Sequence, residues 1–264
     1  MIELRDATVV FNRGDPLERR ALDDLTLSVA PGEFVTVIGS NGAGKSTLLN
    51  VLTGDVLVSS GAVSFDGLDV TRWPVNRRAA FVGRVFQDPL VGTCGFLTIE
   101  ENLALAARRG CRRGLRLATG PKRRAALRDR LADLKLGLEN RLGDRMDQLS
   151  GGQRQALSLV MAAVMEMKIL LLDEHTAALD PRIAAFVMSL TNQIVAEHGL
   201  TTLMVTHSMR QALDHGSRTI MMHEGRIVLD LKGDERRRLS VEDLLRMFSK
   251  VRGETLDDDA LLLN

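Results

Sequence analysis

The chain has 264 residues, 45% of them hydrophobic and 26% charged, with a formal net charge of +1. That is the composition of a soluble globular protein able to bury a core as one sizeable domain or two small lobes, and the charge gives no basis for non-specific nucleic-acid binding. Two cysteines, Cys94 and Cys111, exclude a disulfide scaffold or a zinc cluster, and no apolar run approaches the length of a membrane span.

Met1-Ile2-Glu3-Leu4-Arg5-Asp6 is charged at once, so no signal peptide is expected and the chain is placed in the cytoplasm. Strands are expected at Thr8–Phe11 and Leu25–Val29, with turns at Gly14-Asp15-Pro16 and Pro31-Gly32. A third, Phe34–Ile38, runs into a glycine-rich loop and then into Leu48–Leu52, an apolar stripe at helical spacing. Ala62–Phe65 reads as a strand before the turn Asp66-Gly67, and Ala80–Phe86 as another leading to Gln87-Asp88-Pro89.

Thr98-Ile99-Glu100-Glu101 has the spacing of a capping box, so a helix is expected there. From Arg108 to Leu142 the pattern is helical and basic, broken at Gly110, Gly114 and Gly120-Pro121. The longest apolar run, Ala156–Met165, reads as a buried helix. Residues 90–165 therefore form a helical lobe inserted into a core made of 1–89 and 166–250. The core resumes at Ile169–Leu172, an unbroken apolar run typical of a strand buried on both faces. A helix follows at Arg182–His198 and a strand at Thr201–Val205, then a second capping box at Ser208 and Gln211. Strands Thr219–Met222 and Arg226–Leu229 flank Glu224-Gly225, and Ser240 and Asp243 cap a helix ending near Ser249. The tail 251–264 is left unassigned. No internal repeat is visible. Alternating strands and helices predict an α/β fold with a parallel sheet, whose ligands sit beyond the carboxyl ends of the strands.

Gly39-Ser40-Asn41-Gly42-Ala43-Gly44-Lys45-Ser46-Thr47 lies between a strand and a helix, which is the context a phosphate-binding P-loop requires. Its three glycines let successive N–H groups turn inward on a polyphosphate. The helix starting near Lys45 adds its positive dipole end. Lys45 can reach the β- and γ-phosphates, and Ser46 is placed to ligate Mg²⁺. The chain binds a nucleoside triphosphate. Asp173, ending an apolar strand, can hold Mg²⁺ through water in the Walker B role, and Glu174 can orient or deprotonate the attacking water. Gln87 and His207 each follow an apolar strand and so share that rim.

Leu149-Ser150-Gly151-Gly152-Gln153 forms a second anion-receptive helix start, which a P-loop enzyme does not need within one subunit. Here the sequence resembles the ATP-binding cassette family, whose LSGGQ signature it carries unaltered. Order and spacing agree from the P-loop through Gln87, the signature, Asp173-Glu174 and the D-loop Ala178-Leu179-Asp180 to His207. The resemblance implies a P-loop NTPase of cassette type, with an antiparallel β subdomain and an inserted helical lobe. It implies a head-to-tail pair, with a second copy or a paralogous cassette, each ATP lying between one P-loop and the opposite signature. Ser150, Gly151, Gly152 and Gln153 would then meet the nucleotide from across the interface, with Ser150 and Gly152 on the γ-phosphate and Asp180 on the opposite P-loop. Gln87 would ligate Mg²⁺ and relay nucleotide state to a membrane partner, and His207 would hydrogen-bond the γ-phosphate. Phe11 stands where the family keeps a ring to stack on adenine.

His175 departs from the family pattern, which has proline there; a histidine could tune Glu174 electrostatically or contact nearby loops. The arm Arg108, Arg109, Arg112, Arg113, Arg116, Lys122, Arg123, Arg124, Arg128 and Arg130 reads as a solvated face, with anionic lipid as the alternative. A lone cassette without membrane spans resembles the ATPase subunit of a transporter, peripheral on the inner face of the membrane. It would power a separate permease served by a solute-binding protein. Residues 176–180 and 204–209 resemble cassettes of amino-acid-type importers, which points to tryptophan, tyrosine or branched-chain amino acids as cargo. The rival, a soluble cassette acting on nucleic acid or ribosomes, would bring paired cassettes, coiled coils or zinc cysteines, and none is present.

Overall fold

Residues 1–110, 119–132 and 136–252 are described by the structure, a computed structural model. Cys111, Arg112, Arg113, Gly114, Arg116 and the tail from 253 on lie outside the described residues. Strands β1 (Ile2–Phe11) and β2 (Arg19–Val29) both extend beyond their alternating runs. Asp6 and Asp24 adopt left-handed backbone, with φ of 47° and 45°. Register shifts interrupt the β1–β2 ladder between Leu4 and Val9, so the alternation is broken where the strands continue. Threonines opposite close these bulges: Thr8 Oγ1 donates to Asp24 Oδ1 at 2.8 Å, and Thr26 Oγ1 to Asp6 Oδ1 at 3.0 Å.

β3 (Phe34–Gly39) feeds the glycine loop and α1 (Lys45–Thr53). β4 (Ser60–Phe65) and β5 (Leu68–Asp69) return beside β1, completing an antiparallel sheet of order β2-β1-β4-β5. The short helix α2 (Val75–Arg78) has no sequence signal of its own; Arg78 anchors it. That side chain is buried, and its guanidinium donates to the carbonyls of Val51, Val70, Thr71 and Trp73. The C-terminal turn of α1 is thereby tied to the segment entering α2, and a charged donor satisfies carbonyls that the helix end leaves open.

β6 (Val82–Val85) is followed by α3 (Ile99–Ala106), α4 (Pro121–Ala132) and α5 (Gly151–Ala163). The expected box opens α3: Thr98 Oγ1 accepts from Glu101 N at 3.2 Å, and Glu101 Oε2 accepts from Thr98 N at 2.8 Å. Next come β7 (Ile169–Asp173), α6 (Pro181–His198), β8 (Thr201–Val205) and α7 (Met209–Asp214). The chain closes with β9 (Arg218–His223), β10 (Arg226–Lys232), α8 (Gly233–Arg237) and α9 (Val241–Arg252). Ser240 and Asp243 cap α9 reciprocally, as expected.

The six-stranded sheet has the order β10-β9-β3-β8-β7-β6, parallel except for β10. β7 shows why Ile169–Leu172 is apolar throughout. Ile169 and Leu171 join the cluster shared with α1 and the antiparallel sheet, whereas Leu170 and Leu172 join α3, α5 and α6. Both faces of the strand are covered, so neither can be polar. Among the described residues no helix is long and apolar enough to cross a membrane.

Two expectations are corrected. At Ser208 only half of a capping box forms: Ser208 Oγ accepts from Gln211 N at 3.2 Å, but the Gln211 side chain turns to Thr206 and Thr176 instead. Nor is the basic arm uniformly solvated, because Arg109 folds inward. Its Nη2 donates to the carbonyls of Ala162 at 2.6 Å and Met161 at 3.2 Å, at the C-terminal end of α5 where a cation is favoured.

Candidate active site

The parallel register brings the functional residues to one edge. Asp173 lies opposite Val205 on β8, Val37 on β3 also lies opposite Val205, and Leu172 lies opposite Val85 on β6. The segments leaving these strands are Gln87, Glu174, His207 and the glycine loop after Gly39. A single rim therefore gathers four segments that are far apart in sequence.

The loop needs its glycines for a stated reason. Gly44 has φ 103°, and a Cβ there would lie 2.6 Å from the Ala21 carbonyl oxygen. Gly39 has φ 150°, and a Cβ there would lie 2.3 Å from the Met222 oxygen. Any side chain at either position would push the loop away from the sheet. Lys45 is buried, and its Nζ donates to the carbonyls of Gly39 at 2.6 Å and Ser40 at 3.0 Å. Burial lowers its pKa, and the carboxylates of Glu174 and Asp173 partly offset this. A cavity of about 170 Å³ is lined by Phe11, Arg19, Ala21, Asn41 to Thr47 and Glu174. Phe11 thus stands beside the phosphate loop as expected. Arg19, which carries no motif signal, joins it and donates to the Gly42 carbonyl at 3.0 Å.

Glu174 has left-handed backbone, with φ 47°, a conformation that a non-glycine residue takes only when its surroundings hold it. Its N–H donates to the Val205 carbonyl at 3.0 Å, and its Oε1 lies 2.5 Å from His207 Nε2. Asp173 accepts from Arg84 Nη2 at 2.7 Å. Gln87 is exposed beyond β6 and is not part of the cavity wall. Ser46 does line it.

The second helix start has the geometry its sequence predicts. Ser150 is the N-cap of α5, and Ser150 and Gln153 cap each other at 3.3 Å in both directions. Gly152 packs on α6, where an added Cβ would lie 2.3 Å from Ile183 Cγ2. Ser150 and Gly151 are exposed, and none of residues 150–153 lines the cavity of their own chain. Asp180 is exposed as well and caps α6, accepting from Ile183 N at 3.1 Å.

His175 is neutral near pH 7, so it brings no charge to Glu174. It is 2% exposed, and burial, with a smaller effect from His215, pushes its pKa down to about 4. Thr191 Oγ1 spends its hydrogen on the Val187 carbonyl, so His175 Nε2–H is the donor in the 3.0 Å bond to that hydroxyl. The ring is a neutral peg in the side of α6.

A family model described as ABC transporter matches residues 22–177, more than half of the chain and spanning the glycine loop, the signature and Asp173-Glu174. The chain belongs to the ABC transporter family. It is an ATP-binding cassette whose ATP hydrolysis is coupled to transport. It is 43% identical over 250 residues to the tyrosine transport ATP-binding protein of Clostridioides difficile (strain R20291), covering 94% of this chain and 98% of that protein. Identity to the thiamine import ATP-binding protein ThiQ of Shigella flexneri is 34% over 237 residues, covering 89% and 93%. Among solved structures, the dimeric post-hydrolysis state of the ATP-binding cassette MJ0796 bound to ADP and Pi superposes with a TM-score of 0.74. That pair shares 28% identity and covers 88% of this cassette and 98% of the other.

Proposed function

We propose that this cassette is the ATPase of an importer for an amino acid or a solute of similar size, working as a head-to-tail pair on the inner face of the membrane. One observation carries the pairing: the cavity at the glycine loop is lined by residues 41–47 with Phe11, Arg19, Ala21 and Glu174, while Ser150 and Gly151 stand exposed and outside it. A second copy resolves both facts by seating its helix start over the first copy's phosphate loop. Residues 39–47 and Phe11 of one copy hold ATP, and Ser150, Gly151, Gly152, Gln153 and Asp180 of the other close over it. Glu174 is the base that activates water, and His207 orients it and meets the γ-phosphate.

Ser46, Asp173 and Gln87 offer a hydroxyl, a carboxylate and an amide carbonyl, all hard oxygen donors of the kind Mg²⁺ takes alongside phosphates. Held by these residues, Mg²⁺ would supply positive charge against the phosphates of ATP. Lys45 would contribute positive charge of its own.

Residues 1–89 and 166–250 act as the nucleotide core and 90–165 as the lobe that moves against it. Exposed Val91 and Leu105 line a groove of about 350 Å³ between β6 and the helices α3 and α5, which also takes in Phe86, the residue before Gln87. An apolar patch beside the nucleotide-sensing glutamine is where the permease docks. The relatives' transport of tyrosine and thiamine supports small-solute import. The test is co-purification with the native permease, followed by ATPase stimulation in liposomes with the solute-binding protein and a panel of amino acids. Stimulation by an aromatic or branched-chain amino acid is expected. Stimulation by none, with thiamine or another solute active, moves the cargo elsewhere, and failure to bind any permease overturns the transport reading.

A further inference from the structure

Arg84 occupies a point where three segments of the site converge. It is the third residue of β6 and only 10% of its side chain is exposed. Nη2 donates to Asp173 Oδ2 at 2.7 Å, and Nη1 donates to Asn50 Oδ1 at 2.6 Å. The guanidinium also lies over the Phe86 ring, with Cζ 4.6 Å from its centroid. Asp55 Oδ2 is 3.6 Å from Nη1, a weaker contact at the rim.

Three of these contacts lead to a residue assigned to the metal. Asp173 is one itself. Asn50 is one helical turn beyond Ser46 on α1, on the same face. Phe86 immediately precedes Gln87. One planar cation therefore spans the strand end bearing the carboxylate, the helix bearing the hydroxyl and the loop bearing the amide. Only arginine does this at once, because its fork supplies two N–H bonds in different directions and its plane stacks on a ring. The fork engages Oδ2 of Asp173, so the bond uses one of the two carboxylate oxygens.

We propose that Arg84 is a positioning residue for the metal–nucleotide site, holding Asp173 in register with the Ser46 helix and the Gln87 strand. The proposal rests on the reading of Asp173 as a metal-holding group. A side chain that orients a metal-holding carboxylate typically sets metal affinity by about 10- to 100-fold without touching the ion.

The test uses the full chain carrying Glu174→Gln, so that ATP persists, and Mn²⁺ as the probe. Bound Mn²⁺ is counted by EPR at saturating ATP, and nucleotide affinity is measured separately in EDTA with a fluorescent ATP analogue. Arg84→Met is expected to weaken Mn²⁺ binding by about tenfold and to leave metal-free nucleotide affinity within about twofold. Arg84→Lys, which keeps the charge but loses the fork, should recover part of the loss. Asn50→Ala keeps the Arg84–Asp173 bond, so it should fold in any case and weaken Mn²⁺ by a smaller factor of about two to three. Unchanged Mn²⁺ affinity in Arg84→Met, or equal losses with and without metal, overturns the proposal. Should Arg84→Met not fold, unchanged affinity in Asn50→Ala does so. Asp173→Asn in the same background separates the two readings. If it binds Mn²⁺ normally, the metal role of Asp173 falls and Arg84's with it; if it fails while Arg84→Met is normal, only the present inference falls.

Discussion

His207 Nε2 meets Glu174 Oε1 at 2.5 Å, although the two residues are reached from different strands, β8 and β7. The imidazole N–H thus points at one oxygen of the carboxylate proposed as the base. Replacing Glu174 by Gln keeps the shape and removes the base. Turnover should fall by about 100-fold or more, while ATP binding stays within about twofold. Removing the imidazole in His207→Ala frees the carboxylate from its orienting partner, so it should lower kcat and leave nucleotide affinity intact. Stopped-flow phosphate release and equilibrium ATP titration read both quantities. Wild-type turnover in Glu174→Gln would remove that residue from the chemistry.

Gln211 holds the two loops that carry this pair. Its Oε1 accepts from Thr206 Oγ1 at 2.9 Å and its Nε2 donates to Thr176 Oγ1 at 3.2 Å. Thr206 directly precedes His207, and Thr176 lies two residues beyond Glu174. Both threonines are buried, at 4% and 5% exposure, so losing Gln211 removes the Thr176 hydroxyl's partner and leaves Thr206 Oγ1 with the Ser208 N–H that it accepts from at 3.1 Å. Gln211→Leu should cost about 1–3 kcal/mol of stability by urea denaturation. It should also lower kcat more than KM, since the loops would lose their mutual register. An unchanged kcat with the expected loss of stability would confine Gln211 to folding.

Much of this site was legible in one dimension because its chemistry is backbone chemistry. The glycine loop and the Ser150 helix start present N–H groups whose placement follows from glycine and capping residues, and Ile169–Leu172 announces a strand covered on both faces. Arg84, Arg19, Gln211 and His175 were not legible in their roles, since each acts through side-chain contacts that no local pattern announces, Arg84 with Asp173, 89 positions on, and His175 with Thr191, 16 positions on. The helices α2 and α8 failed for the same reason. They are held by Arg78 and by Arg236, whose Nη2 donates to the carbonyls of Ala212, Leu213 and His215, rather than by any helical periodicity. β1 and β2 were read short because the bulges at Asp6 and Asp24 break the two-residue period by which strands are recognised.

The buried His175 makes stability depend on pH in a definite direction. Its pKa is about 4 in the folded protein and about 6.5 when unfolded. Between those values the unfolded chain binds the extra proton, so stability is complete above pH ~6.5 and declines as the pH falls toward ~4. The loss is roughly 3 kcal/mol in all. His175→Gln keeps an N–H for Thr191 and has nothing to titrate. Urea midpoints between pH 7 and pH 4.5 should therefore fall more steeply for the wild type than for this variant. Parallel curves would show that the ring takes up its proton without penalty.

Pairing can be separated from folding at Gly151. At Gly152 an added Cβ would strike Ile183, so any substitution there confounds assembly with packing. At Gly151 it meets nothing within 4 Å, and the residue is the first of α5. Aspartate there should stabilise the isolated subunit slightly, by about 0.3–1 kcal/mol, because a negative charge suits a helix N-terminus. If that helix start receives the γ-phosphate of the opposite copy, the same carboxylate meets a like charge and the pair cannot close. Gly151→Asp combined with Glu174→Gln is expected to equal or slightly exceed the parent in thermal midpoint and to match it in ATP binding as a monomer. It should nonetheless stay monomeric in light scattering with ATP and Mg²⁺, where Glu174→Gln alone dimerises. A double variant that dimerises normally would place the signature helix away from the nucleotide and leave its exposed amides unexplained.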